Sequence, residues 1–320
     1  MQNVPSNGTL WNHEAAWNTS TDLALTPLGH ILSNTVILPT HVVGVILNGS
    51  VLATFIFSKA KLLADRLDQI VFSLLLTCLV WAITSARRYM NGIIDPFPSN
   101  SAMNRFSAVE ITFCLICIFG LNLMLAMERY LTFSSADMKR HQKYFVVVYI
   151  MMGLQAVVTV WVFANSTSAN GFSPDLAMPR LVWISSIFVS FAVTVAAISF
   201  LYWRTFNLAA QGLVGPMQDT PSKIQATIKR KILTYCFLMA ASVLVLYTPA
   251  VAWELTKKMV LPHVNATLAV ILDRATVEMS ASDVIVTPSL VLFFNAEARR
   301  EMLIMFGVRK REQGQEQNLI

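Results

Sequence analysis

The chain has 320 residues and a mass of 35.6 kDa, with 55% hydrophobic and only 13% charged residues. Soluble domains carry about a quarter charged residues, so this composition excludes a water-facing surface over most of the chain and points to a membrane. The net charge of +6 sits in short segments between long uncharged ones, which is not the basic stripe of a nucleic-acid-binding protein, so no nucleic-acid partner is expected.

Residues 1–29 are polar and carry the sequons Asn7-Gly8-Thr9 and Asn18-Thr19-Ser20. A hydrocarbon core about 30 Å thick takes roughly 20 apolar helical residues to cross. Seven segments meet or approach that length: 30–57, 68–89, 106–132, 143–164, 180–205, 230–254 and 270–294. Tyr144 to Asn165, Leu181 to Trp203 and Ile232 to Trp253 contain no Asp, Glu, Lys or Arg at all. The seventh segment contains Glu278 and Asp283, which a span tolerates when its polar side faces other helices. The connections are short and rich in breakers, as in Asp95-Pro96-Phe97-Pro98 and Asn170-Gly171-Phe172-Ser173-Pro174, leaving no room for a second domain. The expected organisation is an N-terminal segment 1–29, an all-α seven-helix membrane bundle 30–294, a short membrane-surface helix 295–306 and a tail 307–320. The four cysteines, Cys78, Cys114, Cys117 and Cys236, lie inside apolar stretches and read as small buried hydrophobes, with no disulfide and no metal site expected.

Orientation follows from the basic residues. With residue 1 outside, 17 of the 24 Lys and Arg fall on the inner side, and the first 58 residues contain none. The lack of a basic n-region argues against a cleaved signal peptide. Four sequons, at Asn7, Asn18, Asn165 and Asn265, fall on the outer side and are expected to carry glycans; a fifth at Asn48 lies within the first span and is expected to stay bare.

The third segment ends in Glu128-Arg129-Tyr130, an adjacent acid and base at the inner membrane face. In position and type this resembles the Glu/Asp-Arg-Tyr motif of rhodopsin-like (class A) G-protein-coupled receptors. Asn48-Gly49-Ser50-Val51 in the first segment is similar to the family's Asn-x-x-Val, Tyr247-Thr248-Pro249 in the sixth to its Trp-x-Pro kink, and Thr287-Pro288 in the seventh to its Asn-Pro-x-x-Tyr. The likeness covers residues 30–306. It implies a receptor that turns an extracellular ligand signal into movement of the sixth helix, sensed by a heterotrimeric G protein. Arg129, held at rest by Glu128, would then be released toward that partner. Prolines supply the hinges, since each removes one backbone hydrogen bond.

The sequence departs from the family at several places. Cys78 stands near the family's helix-two aspartate, and Asp283, one turn from Thr287, is its expected replacement in a polar core with Asn48 and Asn122. Lys229 stands where a helix-six acid would lock the motif arginine, Val291 replaces a tyrosine, and Tyr247 replaces the tryptophan of the sixth-helix kink. No cysteine occurs in 91–105 or 165–180, so the family's outer disulfide is absent. Ala281 occupies the position seven residues before Pro288 where a retinal-binding opsin carries its lysine, which excludes that chemistry. No cofactor is expected.

By the same likeness a small-molecule ligand is expected in the outer half, against Glu110, Ile111, Cys114, Trp183 and Tyr247, with Trp253, Glu254, Glu278 and Met279 from the last two spans. Aromatic walls with acids suit an apolar or a cationic molecule. Glu110 and Glu278 have the alternative of pairing with Arg87, Arg88 or Arg274. On the inner side, Arg129, Met138, Lys139, Arg140, Lys229 and Arg230 form a basic rim suited to a G protein or to anionic membrane lipids. The histidines are scattered, with no metal spacing, nucleophile elbow or phosphate loop, so an enzyme is not expected; His41, the one inside a span, reads as a satisfied polar residue. The plasma membrane, with the C-terminus cytoplasmic, is the expected location. The alternative is a seven-helix transporter or channel that uses Glu110, Glu278 and Asp283 as an ion or proton path.

Overall fold

In a computed structural model of the chain the described residues are 31–57, 65–94, 102–134, 138–166, 169–170, 173–174, 177–213, 220–260 and 263–308. A π-helical turn, Ser33–Ile37, leads into α1, Leu38–Phe57. The wide turn falls just before Pro39, which lacks the N–H that would bond the Thr35 carbonyl in a regular helix. Helices α2 (Arg66–Ile94), α3 (Ala102–Ser134) and α4 (Met138–Ala164) follow. A minimal hairpin, β1 (Ala169–Asn170) and β2 (Ser173–Pro174), pairs Ala169 with Pro174 in antiparallel register. Then come α5 (Ala177–Leu213) and α6 (Thr220–Val260). The last span is built from two pieces, α7 (Ala266–Ala281) and α8 (Asp283–Phe294), and is followed by α9 (Ala296–Met305).

Seven stretches are long and apolar enough to cross a membrane, so the chain is a multi-pass membrane protein. The predicted spans all reappear, but α5 and α6 run further than the uncharged segments, to Leu213 and from Thr220. An uncharged run measures only the part of a helix that lies in hydrocarbon. The extensions use good helix formers such as Lys, Gln, Arg and Ala, and water tolerates them. Many hydroxyls inside the spans find partners within their own helix, as Thr112 does with the Ala108 carbonyl at 2.8 Å and Ser289 with that of Ile285 at 2.7 Å.

The bundle is arranged around α3. In its most apolar stretch 78% of the residues are buried, against 22% in the fourth span, so α3 is the axis and α4 a peripheral helix. Helix α3 touches α2, α4, α5 and α6, while α4 leaves Val146, Tyr149, Leu154, Val157 and Trp161 exposed. Such an apolar outer band belongs against acyl chains.

The junction of α7 and α8 is tied to α1. Pro288 has no N–H, which leaves the Val284 carbonyl without its intrahelical donor. Asn48 supplies one: its Nδ2 donates to Val284 O at 2.6 Å and to Gly44 O at 2.8 Å. A Cβ at Gly44 would come within 2.5 Å of Val284 Cγ2, so glycine is what allows α1 to approach closely enough for that bond. Helix α9 starts on Asn295, whose Oδ1 accepts from the Ala298 N–H at 3.0 Å. It ends at Gly307, whose φ of 71° is the left-handed conformation that closes helix C-termini. Ala298 is fully buried, and α9 packs against α1.

Candidate functional site

Near the C-terminal end of α3, Glu128 and Arg129 are both buried. The ion-pair partner of Glu128 is Arg66 of α2, at 3.7 Å, and not Arg129 as the motif's family role implies. The Arg66 guanidinium also lies 5.3 Å from the centre of the Phe145 ring, so one side chain links α2, α3 and α4. The Arg129 Nε has no hydrogen-bond partner among the described residues, and Asp68 of α2 lies within its electrostatic reach. Tyr130 is half-buried beside them, and Arg230 is exposed on α6. The side chains of Met138, Lys139, Arg140 and Lys229 lie outside the described residues.

In mid-bundle Asp283 is buried and doubly bonded. The Tyr247 hydroxyl donates to Oδ2 at 2.9 Å and the Thr287 hydroxyl to Oδ1 at 2.8 Å. The expected polar core therefore divides. Asp283 and Thr287 join Tyr247, whereas Asn48 serves the Val284 carbonyl and Asn122 donates to the Ile118 carbonyl at 2.9 Å. The bond from Tyr247 bridges α6 and α8 next to their prolines, Pro249 and Pro288. Trp81 at 6.0 Å and Phe119 at 5.3 Å, edge-on, surround the Tyr247 ring.

Above this layer, in the half of the bundle farther from Arg129, lies a cavity of about 120 Å³. Its walls include Trp81, Ile111, Leu115, Trp183, Tyr247, Trp253 and Glu254. Five of the predicted ligand residues are in that wall: Ile111, Trp183, Tyr247, Trp253 and Glu254. Glu110, Cys114, Glu278 and Met279 are not. The acids are engaged elsewhere. Glu110 binds Arg87 at 2.8 Å, the pairing left open by the sequence, and Glu278 accepts from the Thr40 hydroxyl of α1. Glu254 pairs with the buried Lys257 at 2.6 Å, and the Trp253 indole N–H donates to Asp273 at 3.0 Å.

Several lining residues escaped the sequence reading. His41, Ser85 and Tyr89 stand in the cavity wall, and His41 is only half-satisfied, through Nδ1 to the Ile37 carbonyl at 2.7 Å. One signal pointed to it: His41, Gly44 and Asn48 follow an i, i+3, i+7 spacing, so the face that carries Asn48 also carries His41. Among the glycan acceptors, Asn165 and Asn265 are exposed. The Asn265 side chain caps α7 through Oδ1, accepting from the Leu268 N–H at 2.7 Å, while the Asn165 amide donates to the Trp161 carbonyl at 2.8 Å. Asn7 and Asn18 lie outside the described residues. Free thiols are found at Cys78, Cys114 and Cys117.

Seven spans around a central α3, a broken last span and a short helix packed back on α1 define the rhodopsin-like fold of G-protein-coupled receptors. The crystal structure of squid rhodopsin matches 96% of this chain and 88% of its own at a TM-score of 0.68. Sequence identity is 13%, so the likeness is one of fold. No protein-family model matches the sequence, and no curated protein sequence matches it.

Proposed function

We propose that the chain is a G-protein-coupled receptor in which a small molecule bound in the cavity shifts α6 and exposes Arg129 to a heterotrimeric G protein. One observation carries this reading: Tyr247 is at once a wall of the cavity and the α6 end of the bond to Asp283. A ligand against Tyr247 thus touches the side chain that ties α6 to α8 beside both prolines. A ligand drives such a change only by binding one arrangement more tightly than the other. In this reading the N-terminus and the glycans at Asn7, Asn18, Asn165 and Asn265 face outward across the plasma membrane. Arg129, Met138, Lys139, Arg140, Lys229 and Arg230 face the G protein and the anionic inner leaflet.

The transporter alternative needs Glu110, Glu278 and Asp283 to pass an ion along. Their partners, Arg87, Thr40 and the pair Tyr247 and Thr287, belong to different helix contacts, which gives a shared path no support. The test is basal nucleotide exchange by a panel of G proteins in membranes with wild type or Arg129→Ala at matched expression. Stimulation by wild type that Arg129→Ala abolishes is the expected result. Silence across the panel, with proton or ion flux that Asp283→Asn removes, would replace the receptor by a transporter.

A further inference from the structure

The cavity wall carries two buried polar atoms that none of the described residues pairs. His41 is buried in α1, and its Nδ1 lies 2.7 Å from the Ile37 carbonyl oxygen, which can only accept. Nδ1 therefore carries the proton, and in the neutral ring Nε2 is left as a lone-pair acceptor. That Nε2 has no hydrogen-bond partner among the described residues, and neither does the hydroxyl of Ser85. Both residues are about 99% buried, and both line the cavity. Buried polar atoms are normally paired, so an acceptor and a hydroxyl left open in the wall of one cavity are the complement of a missing group. The group must donate to His41 and can accept from Ser85.

The nearby acids leave the charge of the ligand open. Glu110 pairs with Arg87, Glu254 with Lys257, and Glu278 accepts from Thr40, while one oxygen of Glu254 and one of Glu278 keep no hydrogen-bond partner among the described residues. The rest of the wall is mostly apolar and aromatic, with Thr112, Glu254, Thr276 and Ser280 as its other polar side chains. We propose that the cavity takes a largely apolar molecule ending in a hydroxyl group, which donates to His41 Nε2 and accepts from Ser85 Oγ. This rests on the reading of the cavity as the receptor's ligand site and specifies its ligand class. A carbonyl or an ether at that end leaves the His41 lone pair facing another acceptor.

The test uses a fluorescent alcohol, 4-(pyren-1-yl)butan-1-ol, and its methyl ether, on the full-length protein in lipid nanodiscs. Binding is read by energy transfer from Trp81, Trp183 and Trp253, which line the cavity. Ala281→Phe, which fills the cavity from α7, defines the signal that comes from membrane partitioning alone. The alcohol is expected to bind about tenfold more tightly than the ether, a difference one buried hydrogen bond can supply. His41→Phe and Ser85→Ala should each erase that preference, while His41→Gln, which keeps an acceptor near the Nε2 position, should retain it. Thermal melts of all variants separate lost binding from lost folding, and Ser85→Ala with His41→Gln decide the matter if His41→Phe does not fold. Equal affinity for alcohol and ether, both blocked by Ala281→Phe, would overturn the hydroxyl end and leave the ligand cavity standing. Absence of any signal sensitive to Ala281→Phe would overturn both. No G protein is present, so a failure of coupling cannot be mistaken for either result.

Discussion

Arg66 competes with Arg129 for one carboxylate. Glu128 is buried, and its ion pair runs to Arg66 across 3.7 Å. A buried carboxylate stripped of its partner must find another or lose its charge. The nearest candidate in sequence is Arg129 itself. Arg66→Ala is therefore expected to turn Glu128 toward Arg129 and to lower basal nucleotide exchange several-fold. Arg66→Ala combined with Glu128→Gln should recover it, because the competitor and the charge are removed together. An unchanged rate in Arg66→Ala would mean that Arg129 is governed from elsewhere, with Asp68 the next residue to change. The motif was legible in the sequence, but the partner was not. Residue 66 opens α2 and residue 128 lies near the end of α3, so the length of two helices separates them in sequence, and only the packing of α2 on α3 brings the two together.

At the scale of helices, the bond from Asn48 to Val284 makes a proline and an asparagine two halves of one arrangement. Asn48→Leu leaves the Val284 carbonyl unpaired in an apolar setting and is expected to destabilise the protein by about 1–3 kcal/mol. Pro288→Ala restores the backbone N–H that would bond the same carbonyl, so the double variant should be more stable than the sum of the single effects predicts. Melting temperatures of the four proteins in one detergent check this, and strict additivity would sink it. The spans themselves were readable because a hydrocarbon slab demands about 20 residues free of charge, a condition printed directly in composition. The break at Ser282 was not. It depends on Ser282 carrying both the Ile285 and Val286 bonds, at 3.0 and 2.9 Å, geometry that no residue pattern announces. Likewise, Arg87 was one of several partners the sequence offered Glu110, and Thr40 was not among those offered Glu278, because helix rotation and packing choose between them.

For the molecule as a whole, topology makes a prediction that needs no ligand. With the N-terminus outside, glycosidase treatment of protein from a eukaryotic cell should sharpen its gel band. Asn165→Gln and Asn265→Gln should each remove one glycan's worth of mass, as should Asn7→Gln and Asn18→Gln. Asn48→Gln should remove none, since Asn48 is fully buried between α1 and α8. A glycan at Asn48, or none at the other four, would invert the topology or the residence argued above. The net charge and span count reach this scale unaided. The cavity does not, because its walls come from six helices whose common face appears only when they are packed.

Helix α6 is 41 residues long, and its proline stands near one end, at Pro249. From there to Thr220 the helix runs about 44 Å at 1.5 Å per residue, well beyond the hydrocarbon thickness. Most of the cavity wall that α6 supplies, Ala250 to Leu255, sits on the short side of that pivot, with Tyr247 only two residues onto the long side. The geometry is that of a lever with unequal arms: a tilt of roughly 10° about Pro249 barely moves the cavity wall but carries the far end through about 8 Å. Mechanical advantage of that kind is bought with force, so the far end is easily pushed back. Whatever grips residues 220–230 therefore has more leverage over the cavity than any ligand in the cavity has over it.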